Sequence, residues 1–177
     1  AKVDREYDKE KYAELLQFYR ERGPETSPSA IRDVEHARAR TGDVAMTIGK
    51  DIVVGPLGEM CDRYDALLVD TLRPTVERYG AAVELGSGWG FNLWKLSQVL
   101  PDAHLAGYDY SENACSLAGE LFSSSKNIRV CRFDYYAERY DEIFDDLRSR
   151  GFERVVVYTS HSIEQLPSAE NVVRVLR

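Results

Sequence analysis

The stretch Ala82-Val83-Glu84-Leu85-Gly86-Ser87-Gly88-Trp89-Gly90-Phe91, continued by Asn92-Leu93-Trp94-Lys95-Leu96, decides the fold. A short apolar run ends in an acid, three glycines alternate, and apolar residues then return at helical spacing. The pattern predicts a strand, a tight turn and a helix N-terminus, an arrangement that holds nucleotide-like ligands. In such a turn one glycine supplies a positive φ, one lets the backbone approach the ligand, and one lets the helix lie close to the strand. Free N–H groups at the helix start favour an anionic group such as a carboxylate or phosphate. The dinucleotide spacing G-x-G-x-x-G/A asks for a small residue at position 91. Phe91 stands there instead, and the third glycine comes one residue early, at Gly90. A plain βα turn with flexible glycines is the bland alternative, and it would have to match four positions by accident.

Downstream, strands and helices alternate. After the helix that follows the glycines, Pro101-Asp102 breaks the chain and His104-Leu105-Ala106-Gly107-Tyr108-Asp109 predicts a second strand. Ser111 then caps a helix carrying Ala114, Cys115, Leu117, Ala118, Leu121 and Phe122. Ile128 to Phe133 predicts a third strand, and Tyr136, Tyr140, Ile143, Phe144 and Leu147 a third helix ending at Gly151. The β-branched run Val155-Val156-Val157-Tyr158 predicts a buried fourth strand. The fold class is α/β, a Rossmann-like parallel sheet.

Ligands on open α/β sheets lie beyond the C-terminal strand ends, so the acids there carry weight. Asp109 ends the second strand, and a carboxylate there accepts hydrogen bonds from the vicinal hydroxyls of a ribose. Phe133-Asp134 ends the third, with the acid placed for an adenine amino group and Phe133 for packing on the ring. Capping a helix is the alternative for either acid alone.

Upstream, residues 5–22 read as a helix with an aromatic stripe (Tyr7, Tyr12, Phe18, Tyr19), ended by Gly23-Pro24. The stripe is either a packing face or a lid over a site. A linker over 24–30 leads to a helix from about Ala30 to Arg40, with Ser29 as candidate cap. Ile52-Val53-Val54 predicts a short strand within a glycine-rich stretch. Leu57 to Tyr79 predicts a helix kinked or split at Pro74 and stopped by Gly80. The division is therefore 1–80, an N-terminal helical lid and specificity region, and 81–177, a cofactor-binding domain.

The chain has 177 residues and a formal net charge of −7, with 44% hydrophobic and 30% charged residues. The charge argues against a surface that grips nucleic acid or an anionic membrane. Cys61, Cys115 and Cys131 form no C-x-x-C pair, so neither a disulfide framework nor a metal site is expected. The charged N-terminus lacks a signal-peptide core, and a cytoplasmic protein is expected.

Glu84-x-Gly86-x-Gly88-x-Gly90 resembles motif I of class I S-adenosylmethionine (SAM)-dependent methyltransferases. Gly107 to Asn113 is similar to the segment that follows it in that family, where the acid holds the SAM ribose and the next residue flanks the adenine. Phe133-Asp134 occupies the place of the family's adenine-binding acid, and Val156 to Pro167 resembles the segment lining the methyl-transfer centre. The resemblance covers roughly residues 80–170. It implies a SAM cofactor held by Glu84, Gly86, Gly88, Gly90, Asp109, Tyr110, Phe133, Asp134 and Ser160.

His161 and Glu164 are the catalytic candidates, His161 as a base or as a loop and cofactor contact, Glu164 as a holder of a cationic acceptor or a first-turn helix residue. Many small-molecule members have Glu-His before the Leu-Pro. This chain has Glu164-Gln165, so a base role for that histidine does not carry over. His36 and His104 read as structural. Asp62, Asp65 and Asp70 read as a solvated face, with a substrate-amine site as the alternative.

The expected function is methyl transfer to a small-molecule N or O acceptor. The alternatives are methylation of a protein or peptide side chain and a non-catalytic binding module that keeps the fold. The family's usual seven-stranded sheet leads us to expect a sheet truncated after strand four, or one completed by a homodimer.

Overall fold

The structure, a computed structural model, describes residues 4–38 and 42–175. Its centre is a parallel sheet of β3 (Ala81–Leu85), β4 (His104–Asp109), β5 (Ile128–Arg132) and β6 (Val156–Thr159), in the order β5-β4-β3-β6. Counted from β3, this is the 3-2-1-4 order of a doubly wound sheet. The predicted Rossmann-like α/β fold is therefore the one observed.

Side-chain alternation sends successive residues of each strand to opposite faces. Ala82, Leu105 and Ile128 pack with Leu93 and Leu96 of α4 (Phe91–Val99) and Leu117 of α5 (Glu112–Leu121). Leu15, Leu16 and Tyr19 of α1 (Ala13–Arg22) and Ile31 of α2 (Pro28–Arg38) join that side. Val83, Leu85, Ala106 and Tyr108 face the other way, against Ile143 and Leu147 of α6 (Asp141–Ser149) and Val172 of α7 (Glu170–Val175).

Several elements differ from the sequence expectation. The helix expected over 5–22 is helical throughout but wound as a π-helix over Asp4–Tyr12 before α1. Ser27, not Ser29, caps α2: its hydroxyl accepts from the Ala30 N–H at 3.2 Å, and Pro28 takes the first helical position, where no N–H is needed. The expected extension to Arg40 lies outside the described residues. Ile52–Val54 belongs to a hairpin of β1 (Asp43–Ile48) and β2 (Asp51–Pro56), turned by Gly49-Lys50 with Gly49 at φ 63°.

Helix α3 (Leu57–Tyr79) runs unbroken through Pro74, because Pro74 is exposed and the carbonyl it frees, on Asp70, meets solvent. Gly80 ends it in the left-handed conformation. Helix α6 starts at Asp141 rather than near Tyr136. The Asp134 carboxylate accepts from the Tyr136 N–H at 2.8 Å and holds that segment in a turn. Strand β6 is half-buried, since among the described residues it pairs only with β3. Asp65 is 4% exposed, so the solvated-face reading fails for it. Among the described residues no helix is long and apolar enough to cross a membrane.

Candidate functional site

The C-terminal ends of β3, β4 and β6 meet at the glycine turn. Gly86, Gly88 and Gly90 have φ of 77°, 54° and 87°, a region that side chains avoid. The Gly86 N–H donates to the Tyr108 carbonyl at 2.7 Å, which clamps the turn to β4. A Cβ on Gly90 would meet Val130 at 3.1 Å and Phe122 at 3.2 Å, so this is the glycine that lets the helix lie close to the sheet.

Asp109 ties the turn to α5. One carboxylate oxygen accepts from the Gly88 N–H at 2.7 Å and the other from the Ser111 N–H at 2.9 Å. Burial pushes the pKa of Asp109 up, against those two hydrogen bonds. Each oxygen keeps a second lone pair for a hydroxyl. Of the loop N–H groups, those of Gly86, Ser87, Gly88 and Gly90 are therefore committed inside the protein. The cap role is met by Ser111, whose hydroxyl accepts from the Ala114 N–H at 3.0 Å.

Glu84 is 1% exposed and lies behind the turn. It accepts from Asn92 Nδ2 at 2.6 Å and from the Tyr158 hydroxyl at 3.3 Å. Burial outweighs both and pushes its pKa up to about 8, so it is largely protonated at neutral pH.

Tyr110 projects beyond β4, 42% exposed, with the Arg132 guanidinium 5.7 Å from its ring centroid. Phe133 packs edge-on to Tyr108, Tyr135 and Tyr140 at 4.7–6.2 Å, on the α6 side. With Asp134 it lines a cavity of about 390 Å³ shared with Tyr108, Arg132 and Arg139. Glu84, Asp109 and the glycines thus stand together, while Phe133 and Asp134 border a neighbouring cavity.

Beyond β6 the Ser160 hydroxyl lies 2.7 Å from the Tyr64 hydroxyl of α3, and the Tyr64 ring is 4.8 Å from that of His161. His161 takes φ 52°, the only positive φ on a non-glycine among the described residues, a form of strain that collects at functional sites. Its Nδ1 is 3.5 Å from Glu164 Oε1; the two side chains are 72% and 57% exposed.

Other residues entered the site without a local sequence signal. The Tyr12 hydroxyl lies on the turn: a Cβ added to Gly88 would be 2.5 Å from it. Ser162 covers Gly86 in the same way and bonds to Tyr135 at 2.8 Å and to the Leu85 carbonyl at 3.0 Å. Asp8 accepts from the Ser111 hydroxyl at 2.6 Å and the Asn113 N–H at 2.9 Å, holding residues 4–12 across the start of α5. Of these, Tyr12 was visible beforehand as part of the aromatic stripe and Ser162 only as a member of the 156–167 stretch, while Asp8 was not singled out.

The strand order, the glycine turn after the first strand of the unit and an acid closing the second are now all in place. The chain has a Rossmann-like α/β fold. No family model matches the sequence, and no curated protein matches it. Among solved structures it is similar to the YcgJ protein from Bacillus subtilis, at 13% identity and a TM-score of 0.44, covering 62% of this chain and 44% of that one. It is similar to a SAM-dependent methyltransferase from Anabaena variabilis, at 22% identity and a TM-score of 0.41, covering 61% and 42%. A third is the sugar N-methyltransferase KedS8 from a Streptoalloteichus species, at 17% identity and a TM-score of 0.41, covering 77% and 52%. The chain therefore spans about half the length, or less, of these structures.

Proposed function

We propose that the chain binds SAM and transfers its methyl group to a nitrogen or oxygen of a small molecule. The observation that carries this is Asp109, whose two oxygens are pinned by Gly88 and Ser111 with lone pairs left for a ribose diol. Tyr110 would flank the adenine, with Phe133 and Asp134 at its far side, and Gly86–Gly90 would back the methionine end beside Glu84. Gly86 and Gly88 suit that role, because a Cβ at either would collide with what now covers it. Tyr12 lies on Gly88, so the N-terminal region, residues 1–80, acts as a lid that shifts when ligand enters, and Ser162 of the loop after β6 moves off Gly86.

SAM supplies an electrophilic methyl on a sulfonium. When bound, it would allow in-line transfer to the acceptor lone pair with S-adenosylhomocysteine as leaving group, and the protein's part would be alignment, which provides most of the acceleration. His161 takes the acceptor proton, Tyr64 and Ser160 fix the loop that carries it, and Glu164 stabilises the imidazolium. A second reading, methylation of a protein or peptide side chain, is favoured by the exposure of His161 and Glu164.

Calorimetric titration with SAM, S-adenosylhomocysteine and NAD tests the proposal. Micromolar binding of the first two, lost in Asp109→Ala, is the expected result. Binding of NAD alone would refute it.

A further inference from the structure

Three of the four buried side-chain polar atoms without a hydrogen-bond partner, among the described residues, stand on two neighbouring helices: Arg32 Nε and His36 Nε2 of α2 and Asp65 Oδ1 of α3. Asp65 is 96% buried, and the nearest cation on its oxygen is Arg32 Nη2 at 3.8 Å, an ion pair without a hydrogen bond. Arg32 is already committed elsewhere: Nη1 donates to Glu35 at 2.8 Å, and the guanidinium lies 4.5 Å from the Phe91 ring centroid. Lys11, next to Tyr12, reaches Glu35 at 2.6 Å. Interiors rarely leave such atoms unpaired, and an orphaned buried acid is costly where folding is the sole demand.

The cluster borders the proposed site through Phe91, and α3 links it to the loop beyond β6. Phe91, against Arg32, is the residue after Gly90. Tyr64, which holds Ser160 and lies against His161, precedes Asp65 in the chain, about 3.8 Å away between Cα atoms. We propose that Asp65, Arg32 and His36 form the acceptor-recognition subsite, taking a small molecule that carries adjacent hydroxyl or amino groups. This rests on the methyltransferase reading.

The charges of Lys11, Arg32, Glu35 and Asp65 cancel in pairs, so the subsite asks for hydrogen-bonding complementarity more than for net charge. One ligand group donates to Asp65 Oδ1, its neighbour accepts from Arg32 Nε, and His36 Nε2 serves either. Burial lowers the pKa of His36 and keeps the ring neutral. A vicinal diol or amino alcohol offers that alternation of donor and acceptor.

The test is Asp65→Asn in the full chain, with two readouts. In thermal unfolding without ligand, removing an orphaned charge raises Tm by about 2–4 °C, whereas loss of a structural ion pair lowers it. In saturation-transfer NMR with S-adenosylhomocysteine present, D-glucosamine binds the wild type and weakens at least about tenfold in the variant. A fall in Tm, or glucosamine saturation that does not depend on Asp65, overturns the subsite. Failure of the wild type to bind S-adenosylhomocysteine overturns the cofactor reading and the acceptor subsite with it, whereas binding of S-adenosylhomocysteine with glucosamine held equally by wild type and Asp65→Asn overturns the subsite alone.

Discussion

Asp109 and Glu84 face different electrostatic problems within one turn of chain. Asp109 stays tied to two backbone N–H groups, while Glu84 is sealed behind the glycines with two donors and no cation. At pH 8 the fold still favours protonated Glu84 and the unfolded chain does not, so Glu84→Gln raises Tm there. At pH 3, where both states hold the proton, the same change leaves Tm nearly unmoved; calorimetry at the two values checks this. Gly88→Ala costs about 1–2 kcal/mol from its positive φ and from contact with the Tyr12 hydroxyl. Tyr12→Ala removes the second part, so the double variant loses less than the sum in denaturant melts. Glu84, the glycines and Asp109 were legible in sequence because short-range chain geometry sets their positions. Tyr64, Ser162 and Asp65 were not, since tertiary packing alone brings α3 to the end of β6 and α2 against α3.

The N-terminal segment is the element whose role sequence could only bracket as packing face or lid. It packs, with Leu15, Leu16 and Tyr19 filling the core, and it places Asp8 and Tyr12 over the start of α5 and the turn, the contacts on which the proposed lid rests. Asp8 acts as a second N-cap to α5. Burial opposes its ionisation, but hydrogen bonds from Ser111 and Asn113 prevail and hold its pKa below the ordinary value. Asp8→Ala should remove a cap worth about 1 kcal/mol. Hydrogen exchange of peptides spanning 86–93 should then quicken roughly fivefold; unchanged protection would mean the segment does not guard the turn. Of the hairpin only Ile52–Val54 was read as a strand, because β1 and β2 are short and largely exposed, leaving little apolar alternation. The late start of α6 followed from one side chain, Asp134, competing for the backbone.

Over the whole molecule, buried acids set the pH response. Glu84, Asp65 and Asp109 have pKa values raised by burial, so their contribution is full below the ordinary carboxylate range and is lost as pH rises, for Glu84 up to about 8. Asp8 and Glu35 are lowered, so theirs is present above that range and lost as pH falls. Stability should peak at about pH 4, in the ordinary carboxylate range, and decline towards pH 8 in urea titrations. A curve still rising at pH 8 would contradict that assignment. The four parallel strands were legible because strands and helices alternate regularly after Ala81. The half-buried state of β6 was not, because β-branched residues serve central and outer strands alike. The most direct test of the account is an amide-resolved NMR titration with S-adenosylhomocysteine. The account predicts the largest shifts at residues 86–90, 109–111 and 133–134, with smaller ones at 8–12 as the segment moves. Shifts confined to other parts of the molecule, or none in a folded sample, would contradict it.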